Sequence, residues 1–203
     1  MQAASQVGDH PDGINPTRSD LKSEPGITIR RMHQADLEQV QEIDRLSFSL
    51  PWPAKAYAYE LNGNPNSVQW VAEWHAESLD QPAQLVGLIV VWMILDEAHI
   101  ATIAVRPEFR ARGIAQQLLA AALPEATRRG ATQATLEVRE SNLAARKLYH
   151  RFGFEVVGER PRYYKDNNEN ALIMTLPDLG KEYLSWLENQ GWKKDPNPTR
   201  EAL

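Results

Sequence analysis

The chain has 203 residues, a length that suits one domain with tails. Hydrophobic residues make up 42% and charged residues 24%, ordinary globular values that allow a sizeable core and exclude wholesale disorder. There is no cysteine and the formal net charge is -5, which excludes disulfides, thiolate metal sites and a cysteine nucleophile, and argues against direct nucleic-acid binding.

Residues 1–26 are polar with scattered Pro, Gly and Asp, so a disordered tail is expected there. The segment lacks the apolar core of a signal peptide and carries too many acids for a transit peptide. ITIRR, Ile27 to Arg31, alternates as a first strand. Leu37, Val40, Ile43 and Leu46 recur at helical spacing. A Pro-rich bend at Leu50–Pro53 leads into a short helix that stops near Asn62–Pro65. Val68 to Trp74 and Leu85 to Leu95 are two strands, and a turn at Asp96–Glu97 leads into a third, Ala98 to Val105. The apolar run Leu85–Leu95 is too short to span a bilayer, so a soluble, cytoplasmic protein is expected.

Gly113 to Arg129 has a helical pattern, with Gly130 as its cap and Pro124 expected to kink or split it. Thr132 to Val138 is a short strand. Asn142 suits the N-cap of LAARKLYHRF, with Gly153 at its C-terminal end. Two further strands, Phe154 to Tyr164 and Ala171 to Leu176, flank the polar turn KDNNEN. After Pro177, GKEYLSWLENQGW reads as a final helix, and the remaining residues to 203 as loose chain. The order β-α-α-β-β-β-α-β-α-β-β predicts an α/β (α+β mixed) fold, a central twisted sheet flanked by helices. The domain spans 27–176, between the tail and a C-terminal extension, 177–203. Ile100 to Val138 forms a strand-helix-strand unit, whose two strands should be parallel. Ligands of such sheets bind beyond the carboxyl ends of the strands. That directs attention to Val105–Gly113 and to Glu137–Asn142.

AVRPEFRARGIAQQLL is the most informative stretch. Arg110 to Ala115 has the form R-x-x-G-x-A between a strand and a helix. Small residues at Gly113 and Ala115 let a ligand approach the backbone closely. The free N–H groups at the helix start then favour an anion, with Arg110 and Arg112 adding charge. This is the physics of a pyrophosphate site; neither a Walker loop nor a GxGxxG is present. The five histidines are scattered without metal-ligand spacing, so no metal is expected.

IAVRPEFRARGIAQQLL resembles the acetyl-CoA-binding motif of the GNAT acetyltransferase superfamily. LPWPAKAY, LDEAHIATIAV, LEVRESNLAARKLYHRFGF and RYYKDNNENALIMTLP are similar to segments of its RimI branch, whose members acetylate the N-terminal amine of a small-subunit ribosomal protein. The likeness covers about Ile27 to Pro177. It implies acetyl-CoA as co-substrate, held by Ile103, Ala104, Val105, Arg110, Ala111, Arg112, Gly113, Ile114, Ala115, Gln116 and Asn142. It also implies a peptide groove lined by Leu50, Pro51, Trp52, Tyr163 and Tyr164. The usual second glycine of R-x-x-G-x-G is here Ala115.

Two residues carry the chemistry. Glu137, on the strand ATLEV, matches the RimI-type general base; an ion pair with Arg139 or Lys147 is the plain alternative. Tyr149 lies two turns after Asn142 on one helix face and matches the family's proton donor to the CoA thiolate; a packed tyrosine is its alternative. The expected function is transfer of acetyl to an N-terminal amine, with alanine first, on a basic ribosomal protein. The chain would work as a monomer or weak dimer, without a membrane or nucleic-acid partner. Acetylation of a small amine, of other N-termini or of lysines is the rival. A non-catalytic acyl-CoA-binding module is the remote one.

Overall fold

The computed structural model describes residues 26–76 and 82–194. The expected tail, apart from Gly26, and the last nine residues lie outside them. The elements run β1 (Gly26–Arg31), α1 (Leu37–Ser47), α2 (Ala56–Asn62), β2 (Ser67–His75), β3 (Gln84–Ile94) and β4 (Glu97–Val105). They continue as α3 (Ile114–Arg128), β5 (Gln133–Arg139), α4 (Leu143–Arg151), β6 (Glu155–Tyr164), β7 (Glu169–Leu176), α5 (Lys181–Glu188) and α6 (Gly191–Lys194). The strands form one seven-stranded mixed sheet of order β1-β2-β3-β4-β5-β7-β6. No helix among the described residues is long and apolar enough to cross a membrane.

Strand β3 explains its own apolar run. Leu85, Leu88 and Val90 pack on one face of the sheet with Val40, Ile43 and Tyr57. Val86, Ile89 and Val91 pack on the other with Leu118, Ala122 and Leu123 of α3. A strand buried on both faces has no polar side to alternate with.

The sheet opens between β4 and β5. As the sequence predicts, these strands are parallel, but they pair only from Glu97↔Gln133 to His99↔Thr135. The β3–β4 register shifts just beyond, between Val90↔Thr102 and Val91↔Ile100. One extra residue on β4, a bulge at Ala101, bends the strand away from β5. The carboxyl halves of β4 and β5 therefore diverge into a wedge.

Two expectations change. Pro124 sits inside α3, yet the helix runs unbroken from Ile114 to Arg128. Its neighbours Ala122, Leu123 and Ala126 are fully buried, and their packing keeps the two halves in one helix, so the expected split does not occur. The final helix is two: α5 ends at Glu188, Gln190 adopts φ 56°, and α6 restarts at Gly191.

Helix α4 is fixed at both ends. The Asn142 side-chain oxygen accepts from the Ala145 N–H at 3.1 Å. At the other end Gly153 has φ 88°, and the Gly153 and Phe154 N–H groups donate to His150 and Tyr149 carbonyls at 3.0 Å each. That double bond is a Schellman cap, and the Phe154 ring closes it against Tyr149, 5.8 Å between centroids. Helices α5 and α6 pack on the same corner. Tyr183 Oη donates to the Phe152 carbonyl at 3.0 Å, and Trp186 and Trp192 flank the Phe152 ring.

Candidate active site

The wedge holds a cleft of 1320 Å³ that crosses the sheet. One rim is built by β4 and the start of α3. Ile103, Ala104 and Val105 line it where β5 no longer pairs, so this edge of β4 has no strand beside it. Arg110, Ala111, Gly113, Ile114, Ala115 and Gln116 continue the rim. Ala111 and Gly113 both take positive φ, 61° and 75°, and turn the chain sharply into α3. Gly113 is the N-cap, and a side chain there would be strained whatever the space. Arg110 anchors the loop through Nε to the Val105 carbonyl at 3.1 Å. Arg112 is not in the lining; its guanidinium bonds the Glu108 carbonyl at 3.2 Å and lies over the Phe109 ring. Asn142 lines the cleft, with its side-chain oxygen engaged in the helix cap.

Glu137 and Tyr149 both line the cleft. Strand alternation buries Leu136 and Val138 and turns Glu137 the other way. Its carboxylate is not paired with Arg139 or Lys147. Oε1 lies 3.0 Å from Arg160 Nη2, and Oε2 lies 3.4 Å from His99 Nε2. Tyr149 is buried, and that desolvation, with Tyr164 nearby, raises its phenol above the ordinary range. The phenol therefore stays protonated at neutral pH and can donate. Tyr149→Phe keeps the ring that closes the Schellman cap. It should lower kcat by roughly 10²-fold with unchanged acetyl-CoA affinity, measured by steady-state rates beside calorimetry.

The opposite rim has two walls. Leu50 and Trp52 line one; Pro51 does not reach the cleft. Buried Asp44 fixes this wall by accepting from the Trp52 N–H and from Tyr57 Oη, each at 2.7 Å. Burial raises the Asp44 carboxyl, and those two donors partly offset it. Trp52 stacks on Tyr57 at 4.9 Å and on Trp92 at 6.0 Å, and Trp92 stacks on His99 at 5.8 Å. Tyr163 and Tyr164, packed edge to face at 5.2 Å, line the other wall on the β6–β7 hairpin.

Arg139 joins the two walls. It sits 3.9 Å over the Tyr164 ring, donates to Asp166 at 2.7 Å and to Glu169 at 3.2 Å, and reaches Ser49 Oγ at 3.3 Å. Ser49 Oγ in turn donates to Asp166. Asp96 and Glu97 do not line this cleft. Asp96 bonds Thr132, and Glu97 lines a separate side cavity of 450 Å³.

A family model described as the acetyltransferase (GNAT) family matches residues 37–154. The chain belongs to the GNAT acetyltransferase family. It is 35% identical over 146 residues to a putative ribosomal protein bS18-alanine N-acetyltransferase of Bacillus subtilis, covering 72% of this chain and 92% of that protein. The crystal structure of the ribosomal-protein-S18-alanine N-acetyltransferase of Escherichia coli superposes with a TM-score of 0.65 at 30% identity, covering 75% of this chain and 94% of that one. The crystal structure of a NatC complex bound to Gag peptide and CoA matches with a TM-score of 0.67 at 25% identity, covering 74% and 98%. This chain is thus a GNAT N-acetyltransferase with RimI-like relatives.

Sequence reasoning on this GNAT enzyme missed Arg160 as the partner of Glu137, and Arg139 as the bridge between walls. Both follow from the sheet order. Strand β7 inserts between β5 and β6, with Glu137 and Gly158 both opposite Ile173, which brings Arg160 on β6 within reach of β5. Trp92, on the outer half of the apolar β3 run, carried no signal beyond its size.

Proposed function

We propose that this enzyme moves acetyl from acetyl-CoA to the free α-amine of a protein whose first residue is alanine, and that the protein is a basic small-subunit ribosomal protein in the cytoplasm. The observation that carries the reading is Glu137 at the meeting point of two unlike rims. One rim has a glycine-cornered helix start and an unpaired strand edge, which fit a pyrophosphate and an extended pantetheine arm. The other is a groove whose walls Arg139 ties together, which fits an extended chain end held by its backbone.

The residues divide the work simply. Gly113 and the first N–H groups of α3 hold the pyrophosphate, with Arg110 beside them. Asn142 orients the pantetheine arm through its side-chain amide. Glu137 takes a proton from the α-ammonium; the neutral nitrogen then attacks the thioester carbonyl and sheds its second proton as the amide forms. Tyr149 donates its proton to the departing thiolate. A protein N-terminal amine titrates near 8, so about a tenth is already neutral at pH 7, whereas a lysine amine titrates near 10.4. The α-amine therefore reacts at far lower cost in deprotonation.

The test is fragmentation mass spectrometry of an Ala-Arg peptide that also contains an internal lysine, after incubation with acetyl-CoA. The acetyl group is expected on the terminal amine, with a free polyamine reacting much more slowly. Acetyl mainly on the lysine, or an equal rate on the polyamine, favours the small-amine or lysine reading and overturns this one.

A further inference from the structure

His99 has no part in the mechanism above, yet it stands against its base. Its Nε2 lies 3.4 Å from Glu137 Oε2. On its other side, Nδ1 lies 3.1 Å from Thr135 Oγ1. Thr135 donates its one hydroxyl proton to Glu97 Oε1 at 2.6 Å. With that proton committed, Thr135 can only accept from His99, so Nδ1 carries a hydrogen, and in the neutral ring Nε2 is bare. Two acceptors, Nε2 and the Glu137 carboxylate, therefore face each other across a gap with room for one proton.

The cavities give this pair a purpose. Glu137 and His99 line both the main cleft and the side cavity, while Glu97, Thr135 and Arg160 line only the side cavity. A peptide filling the main cleft would cut Glu137 off from bulk water there. The side cavity remains open behind it.

We infer that His99 is the second station of a proton relay, taking the substrate proton from Glu137 and releasing it through the side cavity. The inference rests on the proposed acetylation of an α-amine. The N–H bond of the ammonium breaks as the Glu137 O–H forms. That O–H breaks as the Nε2–H of His99 forms, and the imidazolium passes its proton to water. No electrons change hands. The Tyr164 phenol of β6 stands close enough to feel the Glu137 charge. Glu137 lies on β5 and Glu97 on β4, both acidic and able to hold an imidazolium through direct contact or through Thr135. Arg160 on β6 binds Glu137 from the far side, and Tyr163 on β6 lines the same cavity. Trp92 on β3 stacks on the ring, and its indole N–H donates to Glu60 of α2 at 3.0 Å.

His99 acts through Glu137, so the test reads more than loss of rate. Initial rates of the full chain on an alanine-terminated peptide are taken from pH 6 to 9 for the wild type, His99→Gln, Thr135→Val, Glu137→Gln and the His99→Gln/Glu137→Gln double variant. His99→Gln should lower kcat at least tenfold near pH 7, with both KM values unchanged. The deficit should close above pH 8, where the amine is already neutral. Thr135→Val should follow the same pattern more weakly, and the double variant should be no slower than Glu137→Gln alone. Nitrogen-15 NMR of the wild type should find His99 protonated on Nδ1, without any substrate. A deficit flat with pH, multiplicative losses in the double variant, or a hydrogen on Nε2 would each overturn the relay. A wild type that acetylates no peptide would overturn the proposed substrate instead, and the tautomer would still decide the relay.

Discussion

Glu137→Gln should lower kcat on an alanine-terminated peptide by roughly 10²–10⁴-fold, the range a positioned general base contributes. The change keeps the side-chain shape, so the neighbours Arg160 and His99 stay in place. The sign of the pH dependence follows from the substrate. Below about pH 8 the amine is protonated and needs an acceptor; above it the amine arrives neutral. The deficit should therefore be largest at low pH and shrink as pH rises. Rates followed by released CoA thiol between pH 6 and 9 decide the point. A deficit that is the same at every pH means that Glu137 positions the substrate and takes no proton.

Gly113→Val should weaken acetyl-CoA binding severely in a protein that still folds. Two effects act together. The backbone at Gly113 has φ 75°, a region that costs a side-chain-bearing residue about 1–2 kcal/mol and a β-branched one more. A variant loop that relaxes out of this geometry must be returned to it on binding, at a cost of roughly tenfold in affinity. The added side chain also stands where a phosphate would meet the helix N–H groups, since little but the Gln116 side chain occupies the space now. Calorimetry on the purified variant, with circular dichroism to show the fold intact, measures the loss. Unchanged affinity would sink the phosphate-loop assignment.

The elements of the domain were legible because each carries a local signal. The period-3.6 stripe of Leu37 to Leu46, the Asn142 cap and the Gly153 stop are all read within a few residues of themselves. Even the two-sided burial of β3 shows as an unbroken apolar run. The order of the strands is different. Nothing local in LEVR or in GERPRYY tells that β7 lies between them, so the partner of Glu137 was sought on its own strand and the following helix. Arg139 was read as a neighbour of Glu137 for the same reason, although adjacent odd positions on a strand share a face without needing to touch. Pro124 failed in the opposite direction. Its local effect is real, but Ala122, Leu123 and Ala126 are held by the sheet, and tertiary packing overrides a single missing hydrogen bond.

On the site, the glycine-cornered loop and the Glu137–Tyr149 pair were visible as motifs, and the cleft brings them together. The residues that tune them were not visible. His99 carries an argument only together with the Thr135 and Glu97 contacts, which no local pattern announces. Arg112 looked like a phosphate ligand by charge alone, and geometry turns it toward Phe109.

The corner where Tyr183, Trp186 and Trp192 surround Phe152 bears on where this enzyme can be cut. Leu179, Tyr183, Leu187 and Trp192 belong to the same buried cluster as Leu118, Phe152 and Phe154. The family model stops at residue 154 and the curated relative covers 72% of the chain, so the part held in common is shorter than the part that packs as one body. Trimming the protein to its shared segment would strip the cover from Phe152 and leave its carbonyl without the Tyr183 hydroxyl. The helix bearing Asn142 and Tyr149 is thereby moored to residues outside the homologous region. A chain cut before Leu179 should therefore melt at a lower temperature than the full chain, which thermal unfolding followed by circular dichroism would measure.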